Sequence, residues 1–176
     1  MFDRVVVRTS PRMNAYPITA AVRILRAERV SFTPHLYTYE PHGGTAVSSR
    51  ALGIDEHTVI KTLIMEDDAK KPLVVLMHGD REVSTKQLAR LLKVKTIRSC
   101  TPEVAEKHSC YQVGGTSPFG TRKKMLVYME RSIGDLPKIY INGGKRGFLV
   151  SLSPADLVRV LKPILVEVGI KKTESN

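Results

Sequence analysis

Three short stretches carry the residue types that chemistry needs. Lys61-Thr62 lies inside the run Val59-Ile60-Lys61-Thr62-Leu63-Ile64-Met65, where a lysine is out of place among apolar, β-branched neighbours. It reads either as an outward residue of a half-exposed strand or as an ammonium in a cleft, holding a phosphate or a carbonyl oxygen. Gly143-Gly144-Lys145-Arg146-Gly147 follows the apolar run Ile139-Tyr140-Ile141 and Asn142. Glycines let backbone amides approach a ligand, and two fixed cations sit at the same bend. That pattern suits an anion or a developing oxyanion, and equally a hairpin turn with solvated charges. Gly114-Gly115-Thr116-Ser117-Pro118-Phe119-Gly120 is a second glycine-rich turn, continued by Arg122-Lys123-Lys124. Ser117 is not the nucleophile of a G-x-S-x-G elbow, because Phe119 stands where the second glycine belongs. It reads as a turn residue before Pro118. Tyr37 and Tyr39 alternate on one face of an extended segment, to pack on the core or to stack on a base.

The remaining titratable residues exclude several classes. His35, His42, His57, His78 and His108 show no HxxxH or HxH spacing, and Cys100 and Cys110 form no CxxC. No metal or cofactor is assigned, and no disulfide framework is expected. Neither a dinucleotide fingerprint nor a P-loop occurs. A net charge of +11 favours a polyanionic partner, nucleic acid above all. No apolar run reaches transmembrane length, and the segment from Met1 to Arg12 lacks the apolar core of a signal peptide. A reducing cytoplasm is the simplest setting.

These residues need elements to hold them. Thr19 caps a helix to about Arg29, Phe32–Tyr39 is extended, and a short helix over Ala46–Leu52 ends at Gly53. Val59–Met65 and Leu73–Met77 form a hairpin across Asp67–Lys71. Helices begin at Ser84 or Thr85, at Thr101-Pro102 and at Ser153-Pro154. Met125–Met129, Lys138–Ile141 and Phe148–Leu152 are further strands. The order lacks regular βαβ alternation, so the fold class is α+β, a mixed, largely antiparallel sheet flanked by helices. Residues 1–15 are expected to form a flexible arm, within which Met13 competes with Met1 as the start. Residues 16–168 form the domain, and 169–176 a disordered tail.

Taken together, Lys61-Thr62-Leu63, Val113–Gly120 and Ile139–Gly147 resemble the YbaK/EbsC family of free-standing aminoacyl-tRNA editing domains. Thr19-Ala20-Ala21-Val22 followed by Phe32, and Leu52-Gly53-Ile54, match it as well. The resemblance runs from about residue 16 to 165. It implies a mixed sheet flanked by helices, with a cleft for the aminoacyl-adenosine end of tRNA. It places Lys61 as the essential lysine with Thr62 beside it, and Gly114 and Pro118, with Gly115 and Ser117 between them, in the GxxxP turn. It puts Gly143 and Gly144 at the scissile carbonyl, with Lys145 and Arg146 beyond them. Either Tyr37 or Tyr39 takes the place of a pocket tyrosine. The activity implied is deacylation of mischarged tRNA, Cys-tRNA(Pro) foremost, with the substrate's own thiol attacking its carbonyl. Docking with prolyl-tRNA synthetase is implied too. The chain departs at Asn142, where the family's best-studied members have serine, and at Leu149, where they often have aspartate.

Overall fold

The computed structural model describes residues 15–173. Thr19 starts α1 (Ala20–Ala27) by accepting the Val22 amide on its hydroxyl oxygen, 3.1 Å. The chain then forms edge strand β1 (Thr33–Leu36) and α2 (Gly44–Leu52), which ends at Gly53 in the left-handed region. A 3-10 turn at Glu56–Thr58 leads into β2 (Val59–Asp67), β3 (Pro72–His78) and β4 (Arg81–Val83). The expected hairpin between β2 and β3 is present, and its turn is tied by Asp67, whose Oδ1 accepts the Ala69 and Lys71 amides, both 2.9 Å. After it come α3 (Thr85–Leu92), β5 (Ile97–Ser99) and α4 (Pro102–Ser109). The last part comprises β6 (Leu126–Glu130), β7 (Ile139–Lys145), β8 (Phe148–Leu152), α5 (Pro154–Leu161), β9 (Ile164–Val166) and β10 (Gly169–Lys171).

The main sheet runs β1-β8-β7-β2-β3-β6-β9, with β5 also on β2. It is mixed: β2 with β7, β3 with β6 and β6 with β9 are parallel, and the other pairs are antiparallel. Alternation along the strands feeds two cores. Ile60, Ile64, Val74, Leu76, Ile139 and Ile141 face α1 and α5 through Val22, Leu25 and Leu157. Met65, Val75, Met77 and Tyr128 face α3 through Leu88 and Ala89.

One expectation changes. Residues 169–171, assigned by sequence to a disordered tail, form β10 and pair with β4. A three-residue strand made by Gly169-Ile170-Lys171 has no periodicity to read, and its partner fixes it. Residues 1–14 of the arm expected over 1–15, and residues 174–176 of the expected tail, lie outside the described residues.

Candidate active site

The sheet opens where β2 and β7 part. Their parallel pairing covers only Val59 with Tyr140 and Ile60 with Ile141. The same edge of β2 is taken up again by β5 from Met65 to Asp67, with Cys100 donating its amide to the Ile64 carbonyl, 3.0 Å. On the other edge the Val59 carbonyl accepts the Gly79 amide, 2.7 Å. Along a strand the backbone groups alternate in direction. Odd-numbered residues of β2 therefore bond towards β3 and even-numbered ones towards β7 and β5. Thr62 aims its N–H and C=O into the stretch that neither strand pairs. Its Oγ1 is buried and has no hydrogen-bond partner among the described residues.

The other lip is a bulge. Asn142 faces Leu149 and Lys145 faces Phe148, so Gly143 and Gly144 are extra residues in β7. The bulge is held from within: Asn142 Oδ1 accepts the amides of Gly144 (2.7 Å) and Lys145 (3.1 Å). Asn142 Nδ2 donates to the Gly114 carbonyl, 3.2 Å, across to the second glycine turn. Arg146 adds another link, donating Nε–H to the Val113 carbonyl at 2.9 Å while its guanidinium lies 5.1 Å from the Tyr39 ring centre. Gly114 has φ +89°, and a Cβ there would stand 2.9 Å from the Tyr39 hydroxyl. A Cβ on Gly115 would stand 2.7 Å from the Arg146 amide. Tyr37 donates its amide to the Gly147 carbonyl, 3.0 Å. Both glycine motifs, Asn142 and the Tyr37–Tyr39 segment thus form one unit at the mouth of the split, and Tyr39 is the tyrosine whose ring lies against both.

Beneath the bulge, Thr19 donates its hydroxyl to the Gly143 carbonyl, and the Tyr111 hydroxyl donates to the Phe119 carbonyl. Burial pushes the Tyr111 phenol up to about 12. Ser117 is 0% exposed and its Oγ accepts the Phe119 amide at 3.3 Å. It holds the turn and presents no oxygen to solvent. Pro118 is buried with it.

Two predicted roles meet a different geometry. The Gly144 amide faces Asn142 Oδ1, so it is already bonded inside the bulge. Lys61 lies on the opposite face of β2 from Thr62, as alternation requires, and its ammonium donates to the Arg81 carbonyl at β4. Burial holds its pKa below the ordinary lysine value; the charge of Lys172 adds to this, against Glu82, Glu56 and Asp80.

Register shows what sequence reading missed. Asn142 pairs with Leu149 and Leu149 with His35, so these three side chains share one face. Extending the pairing of Ile60 with Ile141 by one residue puts Lys61 beside Asn142 on that face. His35 and Tyr140 join this row, with ring centres 5.2 Å apart, and His35 Nε2 lies 2.9 Å from Ser151 Oγ. Burial, then the charge of Lys138, lowers the His35 pKa, which keeps the imidazole neutral at pH 7. The available signal was strand alternation, which puts His35 on the same face as Tyr37.

The chain is similar in sequence and in fold to several known proteins. EbsC of Enterococcus faecalis, named for Cys-tRNA(Pro)/Cys-tRNA(Cys) deacylation, is 24% identical over 155 residues, covering 88% of this chain and 94% of that one. Proline--tRNA ligase of Caldicellulosiruptor bescii is 32% identical over 97 residues, 55% of this chain but 16% of the ligase. Among solved structures, one named for trans-editing with prolyl-tRNA synthetase superposes with a TM-score of 0.72 at 17% identity, over 90% of this chain and 100% of the other. The hypothetical protein APE2540 superposes with a TM-score of 0.78 at 22% identity, over 86% and 100%. Residues 40–160, well over half of the chain, match the family described as the aminoacyl-tRNA editing domain, and the chain belongs to that family.

Proposed function

We propose that this protein is a trans-acting deacylase of mischarged tRNA, with cysteinyl-tRNA(Pro) as its foremost substrate and cysteinyl-tRNA(Cys) as a second. The observation that carries the reading is the joining of both glycine motifs through Asn142 and Arg146 at a split in the sheet, beside Thr62. An activated ester needs its carbonyl positioned and its oxyanion met; a strong protein nucleophile is not required. The cysteinyl thiol attacks its own carbonyl carbon. As the S–C bond forms, the C–O ester bond breaks, and the thiol proton ends on the terminal ribose oxygen. Water then opens the resulting thiolactone.

In this scheme the Gly143–Gly144 bulge receives the oxyanion. Asn142 must release the Gly144 amide for it to donate. Lys61, on a long flexible stem, leaves the Arg81 carbonyl to hold the terminal nucleotide. Tyr39 and Arg146 offer a stacking edge for the terminal base, with Tyr37, Gly114, Gly115, Ser117 and Pro118 shaping the turn behind it and Lys145 facing phosphate. Leu149, apolar on the same face as Asn142, suits a small side chain without a second charge. The site of action is the cytoplasm, in company with prolyl-tRNA synthetase.

The test is a panel of Cys-, Ala- and Ser-tRNA(Pro). The expected result is faster loss of the cysteinyl ester than in buffer, slowed by Lys61→Ala. A rate equal to buffer on all three would sink the enzyme reading. The bonded state of the Gly144 amide and of the Lys61 ammonium favours one rival, a module that binds tRNA or the synthetase without turnover. Salt-dependent tRNA binding with no hydrolysis would identify it. Faster loss of the Ala or Ser ester than of the Cys ester would instead mark an editing relative with another target.

A further inference from the structure

A second cationic feature lies outside the ester site. β3 and β6 run parallel, and Leu73 pairs with Leu126. The segments that precede them, Lys70-Lys71 and Lys123-Lys124, are therefore brought to the same end of the sheet although some fifty positions separate them. They flank a concavity of about 450 Å³ with Pro72 and Leu126 among its lining. Both segments are pinned by their backbones. Lys70 donates its amide to the Asp67 carbonyl at 3.0 Å, and Lys71 to Asp67 Oδ1 at 2.9 Å. Lys123 donates to the His108 carbonyl at 2.9 Å, and the Thr121 hydroxyl bonds the Lys123 carbonyl at 3.0 Å. No carboxylate lines the groove. Glu66 meets Lys70 at 2.8 Å but is shared with Arg98 at 2.9 Å, and Lys71, Lys123 and Lys124 have no ion pair among the described residues.

Of the four ammonium groups around this groove, three lack a counter-charge and repel one another, so the arrangement favours a bound polyanion. Lysines are mobile point charges, suited to a row of phosphates and not to reading base edges. A concave groove fits a rounded backbone better than a flat lipid surface. The loop also connects the two places, since Thr121–Lys124 runs directly on from the Gly114–Gly120 turn at the candidate site.

We propose that this groove docks the phosphate backbone of the tRNA stem, a second contact that holds the nucleic acid while its aminoacylated end enters the split. The assignment of tRNA rests on the deacylase reading; the cationic groove does not. The test compares full-length protein with two variants, K71Q/K123Q/K124Q in the groove and K86Q/K93Q/K162Q elsewhere on the surface. Binding of uncharged tRNA is titrated against salt, and deacylation is measured on Cys-tRNA(Pro) and on a short cysteinyl oligonucleotide ending in CCA. Neutralising three phosphate contacts should lower the slope of log K against log salt by about 2–3, at roughly 0.7–0.9 per contact. The groove variant should show that loss and a KM for tRNA raised about tenfold or more, with the short substrate cleaved as by wild type. The control variant should keep the wild-type slope.

An unchanged slope in the groove variant, or an equal loss in the control, overturns the proposal. So does binding of anionic phosphatidylglycerol vesicles that is as tight as tRNA binding and is lost in the same variant. If the wild-type protein cleaves neither ester, the deacylase reading fails, and the salt slopes still decide whether the groove binds RNA.

Discussion

Replacing Asn142 by alanine isolates the link that makes one site of two glycine turns. The side chain makes three hydrogen bonds, two received from the Gly144 and Lys145 amides and one given to the Gly114 carbonyl. A hydrogen bond contributes about 0.5–1.5 kcal/mol net, and these lie in a partly exposed place, so the low end applies. The loss should total about 1–2 kcal/mol. For a chain of this size that lowers Tm by roughly 3–6 °C. The bulge should loosen by more than the whole: 1–2 kcal/mol is a factor of about 5–30 in a local opening equilibrium, read as faster hydrogen exchange at Gly144 and Lys145. Asn142→Asp keeps the acceptor and removes only the donor to Gly114, so it should retain most protection at those two amides while losing stability. Urea unfolding with unchanged m-value gives the first quantity, and exchange by NMR gives the second. If Asn142→Ala unfolds within about 0.5 kcal/mol of wild type and exchange at both amides is unaltered, Asn142 does not hold the bulge, and the reasoning fails.

Gly144→Ala should cost roughly 2–4 kcal/mol, because φ is +95° and the new Cβ would stand 2.8 Å from Cε1 of the buried Tyr111 ring. Gly134→Ala, whose Cβ meets nothing within 4 Å, serves as the control and should stay within about 0.5 kcal/mol in the same urea assay. Stability should also fall in mild acid. His78 is 1% exposed, stacked 3.7 Å from the His57 ring, and bonded at both nitrogens, to the His57 carbonyl and to Ser132 Oγ, each 2.7 Å. Burial is the first cause of its lowered pKa; the His57 charge adds to it, and the His57 carbonyl, Asp80 and Glu130 oppose it. The unfolded chain therefore takes up the proton first, near pH 6.5. The contribution of His78 is complete above that value and is lost as pH falls below it, by up to about 1.4 kcal/mol per pH unit until the folded value is reached. Urea midpoints at pH 7.5, 6.0 and 5.0 should decline, and His78→Gln should decline less; equal declines would refute the assignment to His78.

Much of the frame was legible locally, because its signals act over a few residues. Thr19, Ser84 and Ser153 precede helices that their side chains cap, Gly53 ends one helix at φ 64°, and the run Val59–Met65 is a strand because its residues suit one. Alternation alone placed Lys61 and Thr62 on opposite faces. The strands β4, β5, β9 and β10 were missed, since three residues carry no usable period and take their form from a partner. His35 was missed for a related reason: only the register of β1 on β8 puts it in the row with Leu149 and Asn142.

What the sequence determined by itself was the set of chemical groups: the glycines, the lysine beside a threonine, the surplus of positive charge and the short-range turns. Where those groups point was decided by tertiary structure. β7 leaves β2 after Ile141, which frees the Thr62 backbone. Asn142 bonds the Gly144 amide, and Lys61 meets a carbonyl contributed from twenty residues further on. Parallel pairing of β3 and β6 draws four lysines around one groove. The strand pairings and the Lys61 contact join residues distant in sequence, with alternatives that differ little in local energy, so only the assembled sheet and its packed faces select among them.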